Sequence, residues 1–181
     1  MAELVRGICG GITQYLDVPF SFFGHSMGAL ICFEVARTLA QQRLPQPQWV
    51  FVSGSVPPHR LQPESLHTLP TQDFIEIVSR RYSGFPPAVL ENQQLLELFT
   101  PILRADFELI ERYRYMESPP LVQKIAAFGG RRDDLVSALE LEHWRDLTAR
   151  SESFRIKLFD GGHFFLNGHW TALLNEICDA L

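Results

Sequence analysis

The residues best placed to do chemistry begin with Ser26, which lies in the pentapeptide GHSMG between Gly24 and Gly28. This pattern is G-x-S-x-G, in which small residues let the chain turn sharply from a strand into a helix and expose the serine hydroxyl. A run of large apolar residues precedes the serine and a helical pattern follows it, so the required context is present. We therefore interpret Ser26 as a nucleophile, and we expect the backbone N–H of Met27 to stabilise an oxyanion.

A serine hydroxyl needs a base to take its proton, and we look for that base among the six histidines. His163 follows the last predicted strand in FDGGHFFL, where two glycines allow a turn that brings an imidazole over the carboxyl end of a sheet. We predict His163 as the base. The alternative is His169, which starts a helix beside Trp170 and better suits capping or packing. His25 adjoins the nucleophile and is expected to point elsewhere, while His59 and His67 fall in a polar loop and His143 in a helix.

The base in turn needs a carboxylate to orient it, and this fold places that acid between the serine and the histidine in the chain. The segment AAFGGRRDDLV offers Asp133 and Asp134 just after a predicted strand. Adjacent side chains point in different directions, so only one can reach Nδ1 of His163. The spacing favours Asp133, with Asp134 as the alternative or as a cap of the next helix. Both could instead be helix-start residues alone.

The elements that must position these residues alternate between strands and helices. Short apolar runs that end in glycine or proline predict four strands: VPFSFFGHS, QWVFVSGSVPP, KIAAFGG and FRIKLFDGG. Helical spacing marks AELVRGICGGITQYL, GALICFEVARTLAQQ, DLVSALELEHWRDLTAR and WTALLNEICDAL. This order predicts an α/β fold with a parallel sheet flanked by helices. The candidate residues all follow strands, at the edge where open α/β sheets place their sites.

One segment, residues 59–120, breaks the alternation because it is helical throughout. We predict one helix from Leu69 to Arg81 and a further pair in NQQLLELFTPILRADFELIERYRYM, separated at Pro101. Such an insertion between parallel strands often forms a lid over an enzyme site, and an extra structural layer is the alternative. We therefore predict a single domain over residues 1–181 that carries a helical lid insertion at 59–120.

Composition narrows the class of protein further. The net charge of −5 comes from interspersed acids and bases, which gives no reason to expect nucleic acid or an anionic membrane as a partner. Three cysteines without CxxC spacing are interpreted as buried, reduced thiols. No apolar run reaches the roughly 20 residues of a membrane helix, and no signal peptide opens the chain, so we predict a cytoplasmic protein. We expect no metal or redox cofactor.

At this point the sequence resembles a known family, the type II thioesterases that accompany nonribosomal peptide and polyketide synthases. The resemblance rests on motifs that span nearly the whole chain in the family's order. They are FFGHSMGALICFEVAR, FVSGSVPP, FTPILRADFELIERY, FGGRRDD, the pair Trp144 and Thr148, and FDGGHFFL. The resemblance implies an α/β-hydrolase fold, with Ser26 as nucleophile, Asp133 as orienting acid and His163 as base. It also implies acyl thioesters on the phosphopantetheine arm of a carrier protein as substrates, with stalled or wrong acyl units removed.

The chain departs from the family before the nucleophile. Only 25 residues precede Ser26, whereas family members have several strands there and a glycine-rich loop that supplies a second oxyanion N–H. We therefore expect a truncated α/β-hydrolase with an unpaired apolar sheet edge, prone to poor solubility or to a non-native dimer. Loss of one oxyanion donor costs on the order of 10²–10³ in rate. The alternatives are a general carboxylesterase or acyltransferase, an inactive fragment that binds a carrier protein, and a purely structural module.

Overall fold

The strands predicted from apolar runs are confirmed, and they form one parallel sheet. The computed structural model describes residues 1–62, 64–82 and 87–181, with the side chain of Pro87 excepted. The strands are β1 (Phe22–His25), β2 (Trp49–Ser53), β3 (Lys124–Gly130) and β4 (Arg155–Phe159). They pair in the order β1-β2-β3-β4, so β1 and β4 are the two edges of this sheet. The register sets His25 beside Ser53, and Gly130 beside Phe159.

Helices cover both faces of the sheet. They are α1 (Ala2–Ile12), α2 (Met27–Gln41), α3 (Thr71–Tyr82), α4 (Pro87–Leu90), α5 (Gln93–Glu111), α6 (Ala138–Glu142) and α7 (Leu166–Cys178). Short 3₁₀ turns occupy Thr13–Tyr15, Pro58–Arg60, Leu66–Thr68, His143–Leu147 and Ser151–Ser153. Alternate strand residues such as Val50 and Val52 pack with α2 and α6, whereas Trp49 and Phe51 pack with Leu173 of α7. Burial on both faces explains why the central strands β2 and β3 are nearly continuous apolar runs. The edge strand β4 instead alternates between exposed and less exposed residues.

The described chain divides into two compact units, residues 1–60 with 115–181, and residues 61–114. The first unit contains the sheet. The described residues of the second unit form helices and a 3₁₀ turn and no strand, which confirms the helical content predicted for the insertion. The parts of the predicted insertion at residues 63 and 83–86 lie outside the described residues. The role of the segment as a lid within a single domain stays a prediction.

The helical unit has a small core of its own. Phe74 and Val78 of α3 are almost fully buried, and the ring of Phe74 packs edge-to-face on Phe107 with centroids 5.4 Å apart. The Arg104 guanidinium lies 4.6 Å from the Phe74 ring and donates hydrogen bonds to the carbonyls of His67 and Leu69. These contacts fasten the loop before α3 to α5.

Two predicted helices differ from those observed. Pro101 does not separate two helices, because α5 continues through it from Gln93 to Glu111. Proline removes one intrahelical hydrogen bond, and the carbonyl left free belongs to Glu97, which is exposed to water. The helix predicted after Asp133 begins only at Ala138 and is short, because Ser137 caps it by accepting a hydrogen bond from Glu140 N.

The cysteine prediction is correct in part. All three thiols are free, but only Cys9 is fully buried, Cys32 is half-buried and Cys178 is exposed. Burial raises the pKa of the Cys32 thiol to about 11, so it is protonated at neutral pH. Within the described parts of the chain, no helix combines the length and the apolar character needed to cross a membrane.

Candidate active site

The turn between β1 and α2 holds Ser26 in an unusual backbone conformation. Its φ is 53° and its ψ is −119°, a region that residues other than glycine rarely adopt. Its N–H donates to the carbonyl of Ser53 at 2.7 Å, which fixes the turn to the end of β2. Gly24 allows the tight approach of strand and helix, since a Cβ there would lie 2.1 Å from the Gly28 carbonyl oxygen. The strain is thus supported by both neighbouring elements.

The structure brings the Ser26, His163 and Asp133 side chains into one hydrogen-bonded chain. Nε2 of His163 lies 3.1 Å from Ser26 Oγ, and Nδ1 lies 3.0 Å from Asp133 Oδ2. A carboxylate only accepts hydrogen bonds, so Nδ1 of the neutral imidazole carries the proton and Nε2 accepts from the serine hydroxyl. This is the tautomer in which His163 can take a proton from Ser26.

Asp133 is buried and well supplied with donors. Besides His163, it accepts hydrogen bonds at Oδ1 from the backbone N–H groups of Leu135, at 2.9 Å, and Val136, at 3.3 Å. Burial raises the pKa of Asp133, but the hydrogen bonds from His163 and from the two backbone N–H groups outweigh it, so the pKa lies below its ordinary value. The carboxylate is therefore ionised at neutral pH.

Backbone contacts join the loops that carry the acid and the histidine. The N–H of Arg132 donates to the Gly161 carbonyl at 2.8 Å, and the N–H of Arg131 donates to the Phe159 carbonyl at 2.8 Å. Asp133 and His163 thus lie on two segments that are fastened together at the carboxyl ends of β3 and β4. This placement explains how residues 30 positions apart in sequence meet.

The alternatives considered from sequence lie elsewhere. The side chain of Asp134 is exposed to solvent, next to the buried Asp133. His169 lies inside α7 at a kink, and its ring packs on Phe159 with centroids 5.9 Å apart. Neither residue forms part of the hydrogen-bonded chain around Ser26.

Met27 is the first residue of α2, directly after Ser26. The first N–H groups of an α-helix have no acceptor within the helix, and they carry the positive end of its dipole. The N–H of Met27 is therefore positioned as a hydrogen-bond donor beside the serine.

Sequence reasoning missed the surroundings of His25. The residue was expected to point elsewhere, but its ring lies against that of His163, with centroids 5.1 Å apart. Its Nδ1 is 2.9 Å from Ser53 Oγ. The sequence signal for this contact was weak, because it depends on the pairing of β1 with β2, which brings Ser53 beside His25.

Comparison with known proteins gives matches to one family, the thioesterases. The family model for the thioesterase domain matches residues 1–181. The chain is 38% identical over 178 residues to linear gramicidin dehydrogenase LgrE of Brevibacillus parabrevis, covering 96% of this chain and 66% of LgrE. The chain spans between 47% and 70% of the length of four curated relatives that it matches.

Two solved structures are similar over almost the whole chain. RedJ, a thioesterase from the prodiginine biosynthetic pathway in Streptomyces coelicolor, is 33% identical with a TM-score of 0.91, covering 100% of this chain and 71% of RedJ. YbtT, a type II thioesterase from the yersiniabactin NRPS/PKS biosynthetic pathway, is 29% identical with a TM-score of 0.84, covering 98% of this chain and 72% of YbtT. The α/β-hydrolase fold predicted from the sequence is confirmed by these neighbours.

Proposed function

Because the chain belongs to the thioesterase family, we propose that it hydrolyses acyl thioesters held on the phosphopantetheine arm of a carrier protein. The carrier domains would belong to nonribosomal peptide or polyketide synthases, and the acyl units removed would be misprimed or stalled. The names of RedJ and YbtT, both thioesterases of biosynthetic pathways, support this substrate class. We also place the enzyme in the cytoplasm, with an acyl or peptidyl carrier protein as its partner.

The observation that carries the proposal is the hydrogen-bonded chain from Ser26 through His163 to Asp133. In the first half of the reaction, Ser26 Oγ attacks the thioester carbonyl while Nε2 of His163 takes the hydroxyl proton. Asp133 stabilises the imidazolium that forms. The C–S bond then breaks, His163 returns the proton to the sulfur, and the pantetheine thiol leaves an acyl-serine.

The second half of the reaction reuses the same groups. A water molecule gives its proton to Nε2 of His163 and attacks the acyl-serine carbonyl. The bond to Ser26 Oγ breaks, the serine regains its proton from His163, and the free acid departs. In both halves the N–H of Met27 donates to the oxyanion of the tetrahedral intermediate.

The helical unit of residues 61–114 fits the role of a lid, which we retain as part of the proposal. Its α5 exposes the large apolar residues Leu98 and Ile102, which are 59% and 53% accessible. Exposed apolar side chains on a helical insertion are suited to contact an acyl chain or a carrier protein.

The experiment that tests the proposal measures release of a short acyl group from an acylated carrier protein by mass spectrometry. The chain is compared with Ser26→Ala and with Ser151→Ala, which alters an exposed serine away from the site. We expect the wild type and Ser151→Ala to produce the free acid and the carrier thiol, and Ser26→Ala to produce neither above the uncatalysed rate.

Product identity and substrate choice separate the alternatives. If the product is the free acid, the reaction is hydrolysis and not transfer or reduction of the acyl group. Reduction is a relevant alternative because LgrE is named a dehydrogenase. An oxygen ester of the same acid, tested in parallel, distinguishes a thioesterase from a general carboxylesterase. Carrier binding that is unaffected by Ser26→Ala, without any acyl release, would contradict the proposed activity and indicate a binding protein.

A further inference from the structure

His25 adjoins the proposed nucleophile Ser26 in sequence and contacts the proposed base His163 through its ring. It is the last residue of β1 and directly precedes Ser26. Its Nδ1 lies 2.9 Å from the hydroxyl of Ser53, a residue with no accessible surface. The carbonyl of the same Ser53 accepts the N–H of Ser26 at 2.7 Å. Ser53 therefore fixes both the backbone of the nucleophile and the ring beside it.

The imidazole of His25 contacts the ring of His163 directly. The two centroids are 5.1 Å apart, and the ring of Phe164 lies 5.5 Å from His25. Room for this arrangement comes from Gly54, whose φ is +55°. A Cβ there would lie 2.6 Å from Cε1 of His25 and 3.4 Å from Cε1 of His163. An alanine at residue 54 would thus collide with the same ring that packs on the base.

The surroundings keep the His25 ring uncharged. An imidazolium has two N–H donors, yet Nε2 of His25 is buried and has no hydrogen-bond partner among the described residues. Burial, as the largest effect, and the neighbouring His163 together lower the pKa of His25 to about 4, against a smaller opposing effect of Asp133. A neutral ring adds no repulsion when His163 becomes positively charged during the reaction.

We propose that His25 is a positioning residue. Its ring is held by the hydrogen bond to Ser53 and packs against the ring of His163, which keeps Nε2 of His163 directed at Ser26 during the proton transfer. Asp133 holds the other end of the same imidazole through Nδ1. Between these two contacts the ring has little freedom to rotate away from the nucleophile. The inference rests on the proposed function in one respect, that Ser26 is activated by His163.

The test uses a readout that does not depend on the identity of the acyl substrate. A fluorophosphonate ester reacts with an activated serine: Ser26 Oγ forms a bond to phosphorus, fluoride leaves, and His163 takes the proton. The labelling rate is measured for the wild type, His25→Ala, and the double variant His25→Phe with Ser53→Ala. The double variant keeps a flat ring and removes both partners of the hydrogen bond, which leaves neither polar group unpaired.

We expect His25→Ala to label about tenfold to a hundredfold more slowly, because small misplacement of a reacting group has effects of this size. The double variant is expected to label within about threefold of wild type. In thioester hydrolysis, we expect His25→Ala to lower kcat and leave KM unchanged, since the His25 ring contacts the base His163. His169→Ala, whose ring packs on Phe159, is the matched control and should label at the wild-type rate.

Either of two results with the variants would overturn the inference: wild-type labelling by a folded His25→Ala, or a double variant as slow as His25→Ala. Should His25→Ala fail to fold, as seen by near-UV circular dichroism, His25→Leu with Ser53→Ala replaces it, because leucine fills space without a flat ring. Labelling of Ser26 without thioester hydrolysis contradicts the proposed function alone. A wild-type chain that is not labelled at Ser26 contradicts both.

Discussion

One oxygen of the Asp133 carboxylate accepts a hydrogen bond from His163, and the other accepts from two backbone N–H groups. This arrangement predicts the effect of replacing one carboxylate oxygen by an amide nitrogen. In Asp133→Asn, the amide oxygen can still accept from Leu135 and Val136. The amide nitrogen then faces Nδ1 of His163 and can only donate, which favours the wrong tautomer of the base. We expect kcat to fall by about 10³–10⁴ with the fold intact, measured by single-turnover hydrolysis.

Asp134 provides the control for that substitution. It is adjacent in sequence but exposed to solvent, so Asp134→Asn should hydrolyse substrate at the wild-type rate. A loss as large for Asp134→Asn as for Asp133→Asn would contradict the assignment of the acid. From the sequence alone, the strand-end spacing favours Asp133 and keeps Asp134 as the alternative, because spacing does not by itself exclude either of two neighbours.

His25 predicts a pH dependence of stability. Its pKa is about 4 in the folded chain, chiefly because of burial, against an ordinary value of 6.5. The unfolded chain therefore binds more protons, so stability is complete above 6.5 and is lost as the pH falls towards 4. Between about pH 7 and about pH 5, the free energy of unfolding should fall by about 2 kcal/mol through this residue.

Urea unfolding at the two pH values checks this expectation. His25→Phe cannot take up a proton, so the variant should lose less stability than the wild type over the same interval. Equal losses in the two proteins would show that His25 is not held neutral in the folded chain.

Among the secondary-structure elements, the junction of β1 and α2 carries the most demanding geometry. A Cβ at Gly24 would lie 2.1 Å from the Gly28 carbonyl oxygen and 2.6 Å from the backbone nitrogen of Ala29, whereas a Cβ at Gly28 meets nothing within 4 Å. We expect Gly24→Ala to destabilise the fold by about 3 kcal/mol, the upper end of the usual range for overpacking, because the atoms it meets belong to the backbone and cannot give way as side chains do. Gly28→Ala should be neutral or stabilising by up to about 1 kcal/mol.

Denaturant unfolding of the two variants tests the pair. Each variant adds one methyl group to the wild-type chain. The two substituted glycines lie two residues before and two residues after Ser26. Similar unfolding midpoints for the two alanine variants would contradict the close approach of strand and helix at Gly24.

The strands and most helices could be predicted from sequence, because their patterns are local. The central strands β2 and β3 are buried, nearly continuous apolar runs, and all four predicted strands overlap the observed ones. Two helices were misjudged for non-local or compensating reasons. Pro101 is tolerated inside α5, where Glu97, the residue whose carbonyl loses its helical donor, is exposed. The helix after Asp133 starts late because the Asp133 side chain binds the N–H groups of Leu135 and Val136, and Ser137 then caps α6.

The site could be predicted as far as chain order determines it. Ser26, an aspartate and His163 follow strands in the order that the fold requires. The contact of His25 with His163 could not be predicted, because it depends on how close the two rings come at the carboxyl ends of β1 and β4. A residue one position from the nucleophile can point into the site or away from it, and sequence spacing does not decide between them.

At the scale of the whole molecule, the strand β1 at the edge of the sheet leads us to expect that copies of this chain associate with one another. Among the described residues, β2 is the single strand that pairs with β1. Trp170 packs edge-to-face on Phe23 of β1 and is 49% accessible. Unpaired strand edges next to exposed apolar groups promote pairing between chains. We expect the average mass of this 181-residue chain to rise with concentration in sedimentation velocity experiments.

Two lysine substitutions, one near each edge of the sheet, test which edge forms the contact between associating chains. Trp170→Lys places a charge beside β1 and should shift the chain towards monomer. Leu139→Lys alters a residue that is 70% accessible and lies near β4, at the opposite edge. It should leave self-association unchanged. Association that is weakened equally by both variants, or only by Leu139→Lys, would contradict the role of the β1 edge.

The positive φ of Ser26 also limits which nucleophiles this turn can acquire in evolution or by engineering. A β-branched side chain is strongly disfavoured at φ near 53°, so Ser26→Thr is expected to misfold the turn although threonine carries the same hydroxyl. Cysteine and aspartate, each with an unbranched Cβ, remain compatible with the backbone. The turn that presents the proposed nucleophile therefore sets the range of covalent chemistries that descendants of this chain can reach by a single substitution.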